Sequence, residues 1–412
     1  MGECNFSLKK QTIMQRRYLI PLAIVGLFFF SIGFALGINS FLMPVLKSSM
    51  HMSPVAANLL IAATFAPFIF FGIPAGKCIE AIGYKRTMAV SFGLFIVAFA
   101  LFIVAASQES IAWFLIASFV SGAANTVLQA CVNPYVTILG PIESAASRIS
   151  IMGICNKLAW PCTTLFITYV IGKTTDECQI ADLYTSFLLI IGIFFVLGVI
   201  ALLAPMPEVK AAGEDEDEKE TPVCAYAEGK TSILQFPHLL LGALTQFLYV
   251  GVETISLVTA QDYAVSLHLT GDWYGYIPSF GMIAGYLVGV FCIPRLLSQA
   301  MALRLCSVTA IVGSVCVATL PGDISIWFIF LMALGCSLMS PALWPLAMTD
   351  LGKFTKRGAS LLTMAIAGGA VMPLVRSWLE TITDYQTSYW ICLPCFLFIL
   401  YYGVAGYKIR KG

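Results

Sequence analysis

Charged residues are scarce in this chain: they make up 11% of 412 residues, where soluble domains carry about 25%. The net charge is only +1, so there is no basic face to neutralise phosphates, and a nucleic-acid partner is not expected. Histidine is nearly missing. His51, His238 and His268 are the three, and all fall at the ends of apolar segments, where they cannot assemble a His-rich metal site. The apolar segments also hold no nucleophile–base pair and no metal-ligand cluster, so no catalytic residue, metal or cofactor is expected and an intramembrane enzyme has nothing to work with. Cysteine is plentiful at thirteen, but most lie within apolar runs (Cys131, Cys155, Cys162, Cys306, Cys336 among them), where thiols behave as small hydrophobes. The one close pair, Cys392 and Cys395, sits in the last such run. It lacks the polar, accessible setting of a redox or metal site.

What fills the space is apolar sequence: 59% hydrophobic residues and a mean hydropathy of +0.88. About twelve windows are long enough to cross hydrocarbon, which takes about 20 residues each. They lie near 18–46, 54–76, 86–106, 111–138, 149–172, 183–205, 234–260, 272–294, 301–320, 324–349, 356–380 and 386–408. This is the pattern of an all-α polytopic membrane protein with lipid as its surroundings. The first window follows a polar, basic start and is longer than a signal-peptide core, with no small-residue cleavage site after it, so it is expected to be a retained span. Met1-Gly2 is followed by Phe6 where a myristoylation start needs Ser or Thr.

Basic residues alternate between the connections. Lys9, Lys10, Arg16 and Arg17 precede the first window; Lys77, Lys85 and Arg86 follow the second; Arg148, Arg295, Arg304, Lys353, Lys356, Arg357, Lys408, Arg410 and Lys411 mark the later connections on the same side and the C-terminal end. The intervening connections hold Lys47 and Lys173 among acids. By the positive-inside rule both termini are expected in the cytoplasm. One long hydrophilic stretch, 206–233, carries the acidic run from Glu214 to Glu220 and reads as a solvated tether. It divides the chain into six-helix halves, 1–205 and 234–412, the layout of a major facilitator transporter. Glycines spaced by four (Gly33 and Gly37; Gly281, Gly285 and Gly289) predict close helix contacts.

Polar side chains within the windows are few, which makes each one informative, since an unpartnered amide in hydrocarbon costs a few kcal/mol. Gln129 and Asn133 are four apart and share a helix face. Asn156 and Lys157 lie about a third of the way into the next window. Glu253 is the only carboxylate well inside a window, and Lys157 is its obvious opposite. A coupling pair, a permanent structural ion pair and a lysine reaching to the interface all fit that pattern. Arg376 and Glu380, at an i,i+4 spacing, read as a structural pair. Asp262 and Asp272 are expected to be solvated loop acids.

Several stretches carry a family resemblance. The turn GIPAGKCIEAIGYKRT from Gly72 to Thr87 resembles the signature loop of the major facilitator superfamily. The stretch LQACVNPYVTILGPIESAASRISIMGICN resembles the span 4–5 signature of the fucose–proton symporter and glucose/galactose transporter family, and QFLYVGVET at 246–254, SPALWPLAMTDLGKFTKRGAS at 340–360 and IAGGAVMP at 366–373 agree with it in order and spacing. The resemblance implies a monomeric secondary active transporter in a bacterial inner membrane. Its cargo would be a small neutral sugar, a hexose such as glucose, galactose or fucose, moved by alternating access with H⁺ or Na⁺.

A sugar site needs amides, which donate and accept, and rings to stack on. The expected substrate contacts are therefore Asn39, Gln129, Asn133, Asn156, Gln246, Tyr249, Trp160 and Trp344, with Glu253 and Lys157 for coupling. The chain departs from the family's proton-coupled members at two carboxylates: Ser40 follows Asn39 where an aspartate is usual, and Gln129 replaces a glutamate. Neither replacement titrates. A uniporter or an exporter of another small molecule therefore stays open as the alternative.

Overall fold

The computed structural model describes residues 2–139, 145–174, 177–206, 226–227, 230–292 and 297–411. Eleven helical segments among these are long and apolar enough to cross a membrane. The second of them, Pro54–Gln108, is 55 residues long. As a straight helix at 1.5 Å per residue it would run about 80 Å, well over twice the hydrocarbon thickness. It does not run straight. Gly83 adopts φ 81° and ψ 168°, a backbone geometry open to glycine because it lacks a Cβ. Thr87, just beyond it, donates to the Gly83 carbonyl and comes within 3.6 Å of the Cys78 sulfur, nine residues back. The segment is thus a hairpin of two crossings, which makes twelve among the described residues.

The crossings are α1 (Gly2–Ser49), α2 (54–82), α3 (84–108), α4 (Ile111–Ile138), α5 (Ala145–Ile171) and α6 (Leu183–Leu203), then α7 (Pro237–Ser266), α8 (Ile277–Cys292), α9 (Gln299–Thr319), α10 (Gly322–Met348), α11 (Arg357–Ile382) and α12 (Cys392–Val404). Outward faces are apolar, as at Phe70, Phe195, Leu203 and Phe291, which suits a lipid solvent. Inside, a ladder of rings joins α3 to α6, with Phe95 stacked on Phe194 at 4.7 Å.

Two crossings expected to be continuous are broken. In α10 the helix yields at Leu338 (φ −93°, ψ 2°), between Phe328–Ser337 and Met339–Met348. Pro341 lies just beyond the break and brings no N–H to the helix ladder. In α11 a tighter turn, Ala365–Ala367, interrupts the α-helix. Irregular backbone at membrane depth is tolerated where it borders a cavity, and both breaks do so.

The two halves meet where α2 packs on α11 and α5 on α8. An ion pair joins them at the bundle end that carries Ser49 and Ser266: Lys47 Nζ lies 3.1 Å from Asp262 Oδ2. This corrects the expectation of a solvated loop acid at Asp262. The helix of α7 continues past that residue, and the side chain turns inward to the ammonium of α1. The acidic run 214–220 lies outside the described residues. Of the rest of the tether, Ala227 is buried with Phe236, Leu351 and Phe354, and Lys230 Nζ sits 3.1 Å from the Tyr226 ring centroid. This end of the tether is therefore packed on the second half instead of being solvated.

The glycine spacing in α8 produces a close crossing with α10. A Cβ on Gly285 would collide with Ser337 Oγ and lie 2.9 Å from the Leu334 carbonyl oxygen. Gly285→Val is therefore expected to destabilise the fold by about 1–3 kcal/mol or more. Gly76→Ala, where a Cβ meets nothing within 4 Å, should leave thermal unfolding in detergent unchanged. Equal melting temperatures for the two variants would contradict the crossing.

Candidate functional site

Helical spacing brings the polar residues to one place. On α4, Gln129 and Asn133 stand one turn apart; on α5, Gly153, Asn156, Lys157 and Trp160 follow an i, i+3, i+4, i+7 stripe. On α7 the stripe runs Gln246, Tyr249, Glu253, Thr254 and Leu257. Just past its break, α10 adds Ser340, Pro341 and Trp344; Tyr286 of α8 and Ile366 of α11 complete the second half's share. Phe29, Ile32 and Leu36 of α1 and Phe65 of α2 supply apolar wall. Together they enclose a cavity of about 160 Å³ between the halves.

One strong interaction crosses it. Lys157 Nζ lies 2.9 Å from Glu253 Oε1, with the side chains 9% and 11% exposed. The ammonium also faces the Trp160 ring, 5.7 Å from its centroid. The remaining polar atoms are unevenly engaged. Asn156 Nδ2 donates to the Phe29 carbonyl at 3.1 Å, holding α5 to α1. Trp160 Nε1, a donor, and Gln246 Oε1, an acceptor, are buried with no partner among the described residues. Buried polar groups normally find partners, so a donor on the first half and an acceptor on the second, both in residues that line the cavity, keep unused hydrogen-bonding capacity.

Nine of the ten residues singled out by sequence lie on this wall: Gln129, Asn133, Asn156, Lys157, Trp160, Gln246, Tyr249, Glu253 and Trp344. Asn39 does not. It is 1% exposed, its Nδ2 donates to Thr64 Oγ1 at 2.9 Å, and its Oδ1 accepts from Ser118 Oγ at 3.1 Å. Its amide is spent on tying α1 to α2 and α4. Ser40, turned about 100° around the helix from it, faces a separate cavity of about 50 Å³. Sequence reasoning missed Tyr286, Thr254 and the apolar wall. Tyr286 was hidden inside the glycine stripe of α8, which reads as packing. The Arg376 guanidinium is 3.2 Å from Glu380 and stacks 4.0 Å from the Tyr385 ring centroid, away from the cavity.

Twelve crossings among the described residues, in two halves with a polar chamber between them, have the layout of a membrane carrier. The family model described as Major Facilitator Superfamily matches residues 25–373. A protein named glucose/galactose transporter from Brucella abortus is 30% identical over 98% of this chain and 98% of its own length. A putative glucose/galactose transporter from Helicobacter pylori is 26% identical, covering 92% of this chain and 95% of the relative. In three dimensions the fucose:proton symporter of Escherichia coli superposes with a TM-score of 0.72 at 22% identity, over 96% of this chain and 99% of that one, which speaks to the fold alone. The chain belongs to the Major Facilitator Superfamily, in the family of the fucose–proton symporters and glucose/galactose transporters. It is a multi-pass membrane transporter.

The ion pair makes a thermodynamic prediction. Leaving one buried charge without its partner costs about 3–5 kcal/mol, whereas replacing both with neutral groups is often close to neutral. Lys157→Met and Glu253→Gln are each expected to lower the unfolding temperature in detergent, and the double variant to regain most of the loss. Strictly additive effects would mean that the two charges do not meet.

Proposed function

We propose that this protein takes up a small neutral sugar of hexose size by alternating access, coupled to the entry of a cation. The observation that carries the reading is the mixed wall of the cavity. Amides from both halves (Gln129, Asn133 and Asn156 on one side, Gln246 on the other) face a shared space with Trp160, Trp344 and Tyr249. Hydroxyls of a sugar donate and accept, as the side-chain amides of this wall do, and its flatter apolar face suits an indole. The names carried by the Brucella, Helicobacter and Escherichia relatives support sugar as the cargo.

Coupling falls to Glu253 and Lys157, because Ser40 and Gln129 cannot titrate. The pair joins α5 to α7 and therefore one half to the other. As the halves rock apart, the carboxylate loses its ammonium. Its place beside the carboxylate is then open to another cation, a proton or a sodium ion. Reclosing the pair expels that cation. One charge moving through about 100 mV supplies roughly 2.3 kcal/mol, enough for about fifty-fold accumulation of a neutral solute.

The Lys47–Asp262 pair ties the halves together at the end opposite the termini. With both termini cytoplasmic in a bacterial inner membrane, that end is periplasmic, and Asn39 serves as a structural strut behind the site. The halves 1–205 and 234–412, joined by the tether, work as a monomer. A uniporter or an exporter of another small molecule is the competing reading, favoured by the loss of both family carboxylates.

Proteoliposome uptake separates these readings. Labelled glucose, galactose or fucose should accumulate only under an imposed proton or sodium gradient. Glu253→Gln should abolish accumulation while sparing sugar exchange at equal concentrations. Uptake that merely equilibrates under every gradient would favour the uniporter, and absence of uptake for all three sugars would remove the sugar reading.

A further inference from the structure

The joint between α5 and α8 carries an inference about which ligands fit. Gly153 lies one turn before Asn156 and Lys157 on the cavity face of α5. A Cβ placed on it would stand 2.6, 2.7 and 2.9 Å from Cζ, Cε1 and Cε2 of Tyr286, inside van der Waals contact. The far edge of the Tyr286 ring thus occupies a notch in the opposite half that exists only because residue 153 has no side chain. The ring is 5% exposed, and both residues line the cavity.

We infer that Gly153 and Tyr286 set the size limit of the transported ligand: the notch parks the phenol ring at the wall, and the room left beside it selects a ring the size of a hexose. This rests on the sugar-transport reading. Three facts make the ring the movable part. First, α8 cannot back away, since Gly281 and Gly285 already bring its backbone against α10, where added Cβ atoms would strike Phe330 O and Ser337 Oγ. Second, α5 cannot back away either: it crosses α1 at Gly33, where a Cβ would strike the Asn156 carbonyl. Third, an aromatic ring does not bend, and it moves as a plate about two torsions. A methyl group at 153 therefore pushes the ring toward the open space, which is the cavity beside Glu253 and Gln246. The cavity narrows without the loss of any amide or charge.

The test is a size-graded competition assay in proteoliposomes, with a labelled hexose taken up by the wild type and glycerol, a pentose, hexoses and a disaccharide as unlabelled competitors. Gly153→Ala is expected to raise KM for the hexose by about tenfold or more, with little change for the smaller competitors. Tyr286→Leu should admit a larger competitor that the wild type rejects. The double variant should bring the hexose KM back to within about threefold of wild type, as coupled neighbours do. If Gly153→Ala does not reach the membrane, the size ranking of Tyr286→Leu decides alone. Wild-type uptake with an unchanged size ranking in the variants would overturn the notch while leaving sugar transport intact. If the wild type takes up no hexose, the transport reading fails and the notch's role fails with it.

Discussion

A charge in hydrocarbon must be matched or removed, and the architecture around Lys157 and Glu253 follows from that constraint. Each residue alone on a helix would oppose membrane insertion. Brought to 2.9 Å across the boundary between two six-helix halves, they hold each other in the low-dielectric interior, and in doing so they hold the halves together. The amides gather around them for the same reason. Gln129, Asn133, Asn156 and Gln246 would each be costly toward lipid, so the helices turn those faces inward. The chamber is where the molecule collects its polar groups. A ligand rich in hydroxyls is what such a chamber can hold.

The chamber's walls depend on backbone that comes close or breaks. Small residues let α8 lie directly on α10, and let α1 lie on α5 behind Asn156 and Trp160 of the chamber wall. At the site, α10 and α11 give up regular geometry at Leu338 and at Ala365–Ala367. Ser340, Trp344 and Ile366 stand beside these breaks and face the chamber. Tight crossings and interrupted helices thus stand side by side around the chamber. The Lys47–Asp262 pair adds a second tie between halves at one end of the bundle. The acids of the two pairs, Glu253 and Asp262, stand nine residues apart on α7.

Much of this was readable along the chain, for a definite reason. Hydropathy windows and helical spacing are local properties, and a bilayer punishes any helix that ignores them. The i,i+4 spacing of Gln129 and Asn133, and the isolation of Glu253 among apolar residues, therefore pointed to a shared interior. The same logic failed at Asn39. Its type and setting match the others, but neighbours on α2 and α4 satisfy its amide before any cavity can, and nothing local announces Thr64 or Ser118. It failed at Asp262 because the partner of that acid is a lysine 215 residues away in sequence. Tyr286 was invisible because its partner is an absence, the missing side chain of Gly153.

From its sequence alone, this protein was bound to be a helical membrane bundle in two halves with a polar interior, since those features answer to the cost of polar groups in lipid, a cost each residue carries by itself. Which polar groups meet, which are consumed as struts, and where a ring finds its notch were decided by tertiary structure. Those outcomes depend on distances between helices far apart in the chain, and hydrogen bonds and van der Waals contacts discriminate at tenths of an ångström, where periodicity has no resolution.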